Sequence, residues 1–112
     1  MIRGFDHGVI AVRDLDPAIA HYRDVLGFDV RRGGRHAGRG TENGIMRFEL
    51  GYLELLSLHD PKQEAAVAGE RGQVLVDYLE RREGGMLGYG LTTDDAPALA
   101  ERLREEIGRA HV

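Results

Sequence analysis

Two ionisable side chains interrupt apolar stretches of this chain where they could do chemistry: His7 within residues 5–12 and Glu54 within residues 52–58. If both stretches are strands, alternation puts Phe5, His7, Val9 and Ala11 on one face of the first. It likewise puts Tyr52, Glu54, Leu56 and Leu58 on one face of the other. A polar group on an apolar strand face costs free energy unless it is paired. An imidazole and a carboxylate can hold a divalent metal, can act as acid and base, or can form an ordinary hydrogen-bonded or solvated pair. Spacing alone leaves all three open.

The run from Arg31 to Gly40 holds four arginines and four glycines. It lacks the Lys-Ser/Thr of a phosphate loop and does not lead into a helix, so a helix-terminal phosphate cradle fails. What remains is a set of guanidinium groups and exposed amides that could meet an anionic substrate group, or a solvated connection between strands. Arg35 and His36 in this run, with Thr41 and Asn43 at the start of the next strand, are the candidate substrate-binding residues. His21 lies on the exposed side of its helix, His59 trails a strand and His111 belongs to the chain's tail, so none is assigned a role. Ser57, the only serine, falls on the strand face opposite Glu54, and no Ser-His-Asp arrangement can be built.

The elements that must hold these groups follow from periodicity. Residues 5–12 read as a strand. Asp16 is the expected N-cap of a helix with Pro17 at its first position. Leu15, Ile19, Tyr22 and Leu26 form its apolar stripe, and Gly27 is its stop. Residues 28–32 read as a second strand, and residues 33–40 as loop. Residues 45–50 and 52–58 read as two further strands in a hairpin joined at Gly51. After Pro61, a helix is expected over about 73–82, with Val74, Leu75, Tyr78 and Leu79 on one face and Gly84-Gly85 as its break. A strand over 86–93 and a helix opened by Asp94-Asp95-Ala96-Pro97 complete the reading. The fold class is α+β, in the order β-α-β-β-β, helix, β-α.

Composition bounds the function. With 42% hydrophobic and 30% charged residues, the chain has the make-up of one soluble globular domain. No apolar run approaches the length of a membrane span, and no signal-peptide pattern opens the chain. Zero cysteines exclude thiolate chemistry and suit a reducing cytoplasm. A net charge of −4 argues against a nucleic-acid partner. Lys62 is the only lysine among 15 basic residues, a bias that points to a GC-rich bacterial genome.

Part of the beginning recurs near the end. At a shift of 80, Gly8 meets Gly88, Asp14 meets Asp94, and Pro17-Ala18-Ile19-Ala20 meets Pro97-Ala98-Leu99-Ala100. The expected organisation is a βαβββ module over 1–60, a helical connection over 61–85 and an incomplete second module over 86–106. Residues 107–112, Ile-Gly-Arg-Ala-His-Val, resemble one reading frame of a widely used sequencing adapter. They are expected to be a non-native tail, so that the natural protein continues beyond them.

Residues 5–16 (Phe-Asp-His-Gly-Val-Ile-Ala-Val-Arg-Asp-Leu-Asp) followed by 21–28 (His-Tyr-Arg-Asp-Val-Leu-Gly-Phe) closely resemble the first module of the glyoxalase/bleomycin-resistance, or vicinal oxygen chelate, superfamily. Gly33-Gly34-Arg35-His36, Gly40-Thr41-Glu42-Asn43 and Gly51-Tyr52-Leu53-Glu54-Leu55-Leu56 resemble its glyoxalase-like domain branch. The resemblance covers residues 3 to about 105. It implies a cup built from two βαβββ modules. It also implies a divalent metal held by a first-strand and a fourth-strand ligand from each module, here His7 and Glu54. The third ligand would fall at Leu87 or Gly88, neither of which binds a metal, so a metal and no metal are equally expected. The implied function is action on a small polar metabolite, by a lyase, isomerase or dioxygenase-type reaction with His7 and Glu54 catalytic. The alternative is a non-catalytic ligand-binding module of the bleomycin-resistance kind, often a homodimer.

Overall fold

A computed structural model describes residues 1–110; His111 and Val112 of the expected tail lie outside the described residues. The elements are β1 (Ile2–Val12), α1 (Leu15–Ala20, continued by a π-helical turn over His21–Val25), β2 (Val30–Arg35), β3 (Thr41–Phe48), β4 (Gly51–Leu58), α2 (Pro61–Arg81), β5 (Gly84–Thr93) and α3 (Ala96–Ala110). The strands form one sheet in the order β2-β3-β4-β1-β5. β1 runs parallel to β4, with His7 beside Tyr52 and Val9 beside Glu54. All other neighbours are antiparallel. The βαβββ module and the opening βα of a second one are therefore both present.

Strand alternation assigns the two faces. Val12, Leu55 and Met46 point to the side covered by α1, where they form a core with Leu15, Ile19 and Val30. Ala11, Leu56 and Leu58 point to the other side and meet Leu75, Tyr78 and Leu79 of α2. Since α2 covers only that end, the same face stays open over His7, Tyr52, Glu54, Ile45 and Arg47. Leu55 and Met46 are 0% and 1% exposed, so truncating either to alanine should cost about 2–5 kcal/mol.

Several element boundaries differ from the sequence expectation, each for a physical reason. α1 begins at Leu15 with Asp14 as N-cap. Asp16 lies inside the first turn, where its carboxylate pairs with Arg32 across the sheet's α1 side. Leu15 and Ile19 are buried as expected, but Leu26 is 50% exposed. The π-turn, in which the Leu26 amide bonds to the His21 carbonyl, rotates it off the stripe. Gly27 ends the helix at φ 79, as expected. β2 continues through Gly34 and Arg35, paired with Asn43 and Glu42 after a register shift at Gly33. Three of the eight residues expected as loop are thus sheet. α2 starts twelve residues earlier than expected because Asp60 caps it, accepting a bond of 3.1 Å from the Gln63 amide. It passes through a kink at Gly69, and Val74 is 61% exposed while Val76 is buried. Gly84 and Gly85 are the first residues of β5 rather than a break.

β5 is an edge strand. Met86, Tyr89 and Leu91 on it are 63%, 70% and 42% exposed, and α3 carries exposed Leu103 and Ile107. The total accessible surface is 7839 Å², against about 6,100 Å² typical of a folded monomer of this mass. A sizeable surface centred on β5 and α3 is left uncovered.

Candidate functional site

Glu54 is the centre of the open face. It stands on β4 opposite Ile45 of β3, with its side chain 16% exposed. The Asn43 amide nitrogen donates to Glu54 Oε2 at 2.7 Å and also lies 3.2 Å from His36 Nε2. His36 Nδ1 lies 2.6 Å from Thr41 Oγ1, and its Nε2 is 3.9 Å from Glu54 Oε2. Three of the four expected substrate-binding residues, His36, Thr41 and Asn43, therefore form one hydrogen-bonded chain ending on Glu54.

The protonation pattern of that chain follows from donor and acceptor types. A carboxylate only accepts, so the Asn43 group facing Glu54 is its NH2. The second hydrogen of that NH2 faces His36 Nε2, which must accept it. Neutral His36 then carries its proton on Nδ1 and donates to Thr41. Glu54 and His36 are thereby a positioned carboxylate and a positioned imidazole in one hydrogen-bonded chain.

Two close approaches make this packing possible. A Cβ on Gly33 would stand 2.0 Å from Asn43 Oδ1, so the register shift in β2 presents a bare backbone where the amide turns toward Glu54. The second approach involves His7. Its ring stacks on Tyr52 at 4.8 Å with 7° between planes, and a Cβ on Gly90 of β5 would reach 2.6 Å from its Cε1. His7 Nδ1 lies 2.7 Å from Asp6 Oδ2. His7 and Glu54 share the face as expected, but diagonally across the β1–β4 ladder. Each is satisfied by other partners, Asp6 and Tyr52 for His7, Asn43 for Glu54.

This donor set does not fit the metal centre that the superfamily resemblance implies. The β5 positions beside Val9 and His7 are Gly88 and Gly90, which offer no side-chain ligand. Among the described residues there is no group of three or more histidine or carboxylate side chains able to hold a metal ion.

The loop between β2 and β3 is fixed by a buried carboxylate that sequence reasoning did not single out. Glu64, in the first turn of α2, is 2% exposed and accepts from Arg39 Nε at 2.7 Å and Nη2 at 2.5 Å. The Gly40 amide donates to it at 3.4 Å. The Arg39 hydrogen bond holds the Glu64 carboxyl below its ordinary 4.5 against the opposing effect of burial, with the Gly40 amide acting in the same direction as Arg39. The Gly40 carbonyl in turn accepts from the His59 and Asp60 amides at 2.8 and 3.2 Å. Thr41 and His36 flank this lock. An acidic residue in a first helical turn ordinarily reads as a dipole complement on the surface, so no sequence signal marked Glu64 as buried. Arg35, the fourth expected substrate-binding residue, is not in the chain on Glu54; its Nε lies 3.6 Å from Glu42.

Comparison with known proteins agrees with this fold. The sequence profile described as glyoxalase-like domain matches residues 5–111. No curated protein matches the sequence. Among solved structures, the chain is similar to methylmalonyl-CoA epimerase from Mycobacterium tuberculosis, with a TM-score of 0.69 and 25% identity, covering 94% of this chain and 65% of that one. It is also similar in fold to a Streptomyces coelicolor methylmalonyl-CoA epimerase variant in complex with 2-nitronate-propionyl-CoA, at TM-score 0.70 and 22% identity, covering 95% and 73%. A hypothetical protein from Staphylococcus aureus aligns at TM-score 0.67 and 26% identity, covering 91% of this chain and 41% of its own length. The chain thus spans about two thirds of the length of the epimerases and less than half of the third protein.

Proposed function

The chain belongs to the glyoxalase-like domain family, and from that premise we propose that it binds a small polar metabolite on the open sheet face and transfers a proton on it. The observation that carries this reading is the chain Thr41–His36–Asn43–Glu54, which fixes a carboxylate that is 16% exposed on the open face. In the proposed step, Glu54 removes a proton from a carbon beside a carbonyl or thioester. The C–H electron pair moves into the carbonyl to give an enolate, while the Thr41–His36–Asn43 chain holds the newly protonated Glu54 in place. Return of a proton to the same carbon on either face, or to a neighbouring atom, gives an epimerase or isomerase outcome; loss of a leaving group gives a lyase. The similarity to methylmalonyl-CoA epimerase at 25% identity supports a carbon acid of this kind as the substrate class. His7, stacked on Tyr52, is assigned to the wall of the site, with no metal-mediated step.

The test is hydrogen exchange. Methylmalonyl-CoA incubated with the protein in D2O should lose its C2 proton signal faster than without it. Glu54→Gln should reduce the exchange about 100-fold or more, the range of a positioned acid or base, and His36→Gln, which disturbs only the positioning of Glu54, about 10-fold. Retained exchange in Glu54→Gln removes the mechanism.

The second reading is a non-catalytic binding module, favoured by the glycines of β5 where ligands would stand. It predicts saturable ligand binding without exchange. In either reading, a second copy of the chain is the partner proposed for the uncovered β5–α3 surface.

A further inference from the structure

The arginines of the β2 region do not act as one cationic loop. Arg32 pairs with Asp16 and lies 3.7 Å from Glu42, Arg35 lies 3.6 Å from Glu42, and Arg39 is locked on Glu64. Arg31 differs. Among the described residues its one carboxylate contact is Asp29 at 3.4 Å, with the two side chains 82% and 78% exposed, a pair that water screens almost fully. Arg31 lies beside Ile45 across the β2–β3 ladder, and Ile45 lies beside Glu54 across β3–β4. Arg31 therefore belongs to the open face.

Arg47 joins it there, two residues beyond Ile45 and hence on the same face. Its guanidinium stands 5.5 Å over the Tyr52 ring, and among the described residues no carboxylate pairs with it. Arg31, Arg47, Ile45 and Asp29 line a groove of about 380 Å³. We infer that Arg31 and Arg47 form the recognition site for an anionic group, a carboxylate or a phosphate, carried by the ligand of the open face. The inference rests on the reading of that face as the ligand site and adds the class of ligand.

The chemistry fits both arginines. A guanidinium offers a planar fork of donors that matches two anion oxygens. Two such groups flanking apolar Ile45 supply the charge and a surface for a carbon chain. Asp29 offsets part of the field, so neither arginine suffices alone. The groove is two inter-strand steps from the backbone of Glu54 at its far wall, each about 4.8 Å. Arg47 reaches from β3 over the Tyr52 ring of β4, so an anion seated in the groove places the rest of the ligand toward Glu54. Tyr52, under Arg47 and against His7, connects the groove to the opposite wall.

The test is an NMR titration of the whole chain with malonate and, separately, with inorganic phosphate. Saturable shifts at Arg31, Ile45 and Arg47 are expected with at least one of them. The double variant Arg31→Gln/Arg47→Gln should weaken binding at least 10-fold. Arg31→Lys/Arg47→Lys should retain part of it, and Arg71→Gln on α2 should leave it within twofold. Malonate alone identifies a carboxylate, phosphate alone a phosphate ester, and both support the shared anion chemistry. The inference is overturned if neither anion saturates, if the double glutamine variant binds as well as the parent while keeping its folded spectrum, or if Arg71→Gln weakens binding equally. Glu54→Gln must retain anion binding. If proton exchange is absent in the parent while malonate still binds at the arginines, the proton-transfer reading fails and the anion site stands.

Discussion

Replacing Arg39 by alanine removes the one cation paired with Glu64 among the described residues, a carboxylate 2% exposed. Breaking a fully buried pair on one side costs about 3–5 kcal/mol, because the surviving charge has no partner. Here Arg39 is 45% exposed, so water can enter where its guanidinium stood, and the expected loss at pH 7 is smaller, about 2–3 kcal/mol. At roughly 4 °C per kcal/mol for a chain of this size, Tm should fall by about 10 °C. The pH dependence carries the sharper signature. In the parent the folded-state pKa of Glu64 lies below its ordinary value of 4.5. The pair's stability is therefore complete above that value and is lost as pH falls through the folded pKa. In Arg39→Ala the burial effect is no longer opposed by Arg39, and the carboxyl moves upward. It then takes up a proton at mild acid pH and loses its penalty. The stability gap between parent and variant should thus narrow from pH 7 toward pH 4. Glu64→Gln, which keeps the shape and leaves only a half-exposed arginine to hydrate, should cost about 1 kcal/mol. Urea denaturation of the three proteins at pH 7, 5.5 and 4 measures all of this. A gap that does not change with pH, or a larger loss for Glu64→Gln than for Arg39→Ala, would refute the reasoning.

Four further outcomes are expected. Gly33→Ala should displace the Asn43 amide from Glu54, because its Cβ would stand 2.0 Å from Oδ1; a loss of about 1–3 kcal/mol and a shifted Asn43 side-chain amide signal in NMR check it, and an unmoved signal counts against the network. Gly90→Ala should push His7 off Tyr52, abolishing the ring-current shift of the imidazole protons while leaving exchange at Glu54 largely intact. The exposed edge of β5 should drive self-association, visible by analytical ultracentrifugation and weakened by Leu91→Lys; a monomer with a cooperative transition well above room temperature would contradict this. Zinc added to the chain should show no saturable micromolar binding, since the facing β5 positions are glycines and His7 and Glu54 are the only ligands expected from the first module; tight binding abolished by His7→Ala would restore the metal site.

Alternation and turn chemistry made much of the module legible without coordinates. The order of elements along the chain, the shared face of His7 and Glu54, the opposite face of Ser57 and the stop at Gly27 all follow from residue type and a period of two or 3.6, which act within a few residues. The same rules failed where a distant contact outweighed them. Glycines at 33 and 34 suggested loop, yet cross-strand bonds to Asn43 and Glu42 extend β2 through them. Arg47 falls within the strand expected over 45–50, but no local signal tells that it stands over Tyr52 and lines a groove with Arg31, and it was missed.

The sequence alone determined which groups would stand on which strand faces, because side-chain direction is set locally by the backbone. The tertiary structure decided their partners. Glu54 is bonded to Asn43 and approached by His36, residues 11 and 18 positions away, because β3 lies between β2 and β4 and the shift at Gly33 opens space for the amide. Glu64 is buried because the Gly40 backbone meets the start of α2 and leaves its carboxylate only Arg39 and one amide. Among the described residues Arg31 and Arg47 remain without a strong carboxylate partner, while Asp16 and Glu42 meet Arg32 and Arg35 and Glu54 is bonded to Asn43. Pairing is a competition among all groups within reach, and only the folded chain defines who is within reach.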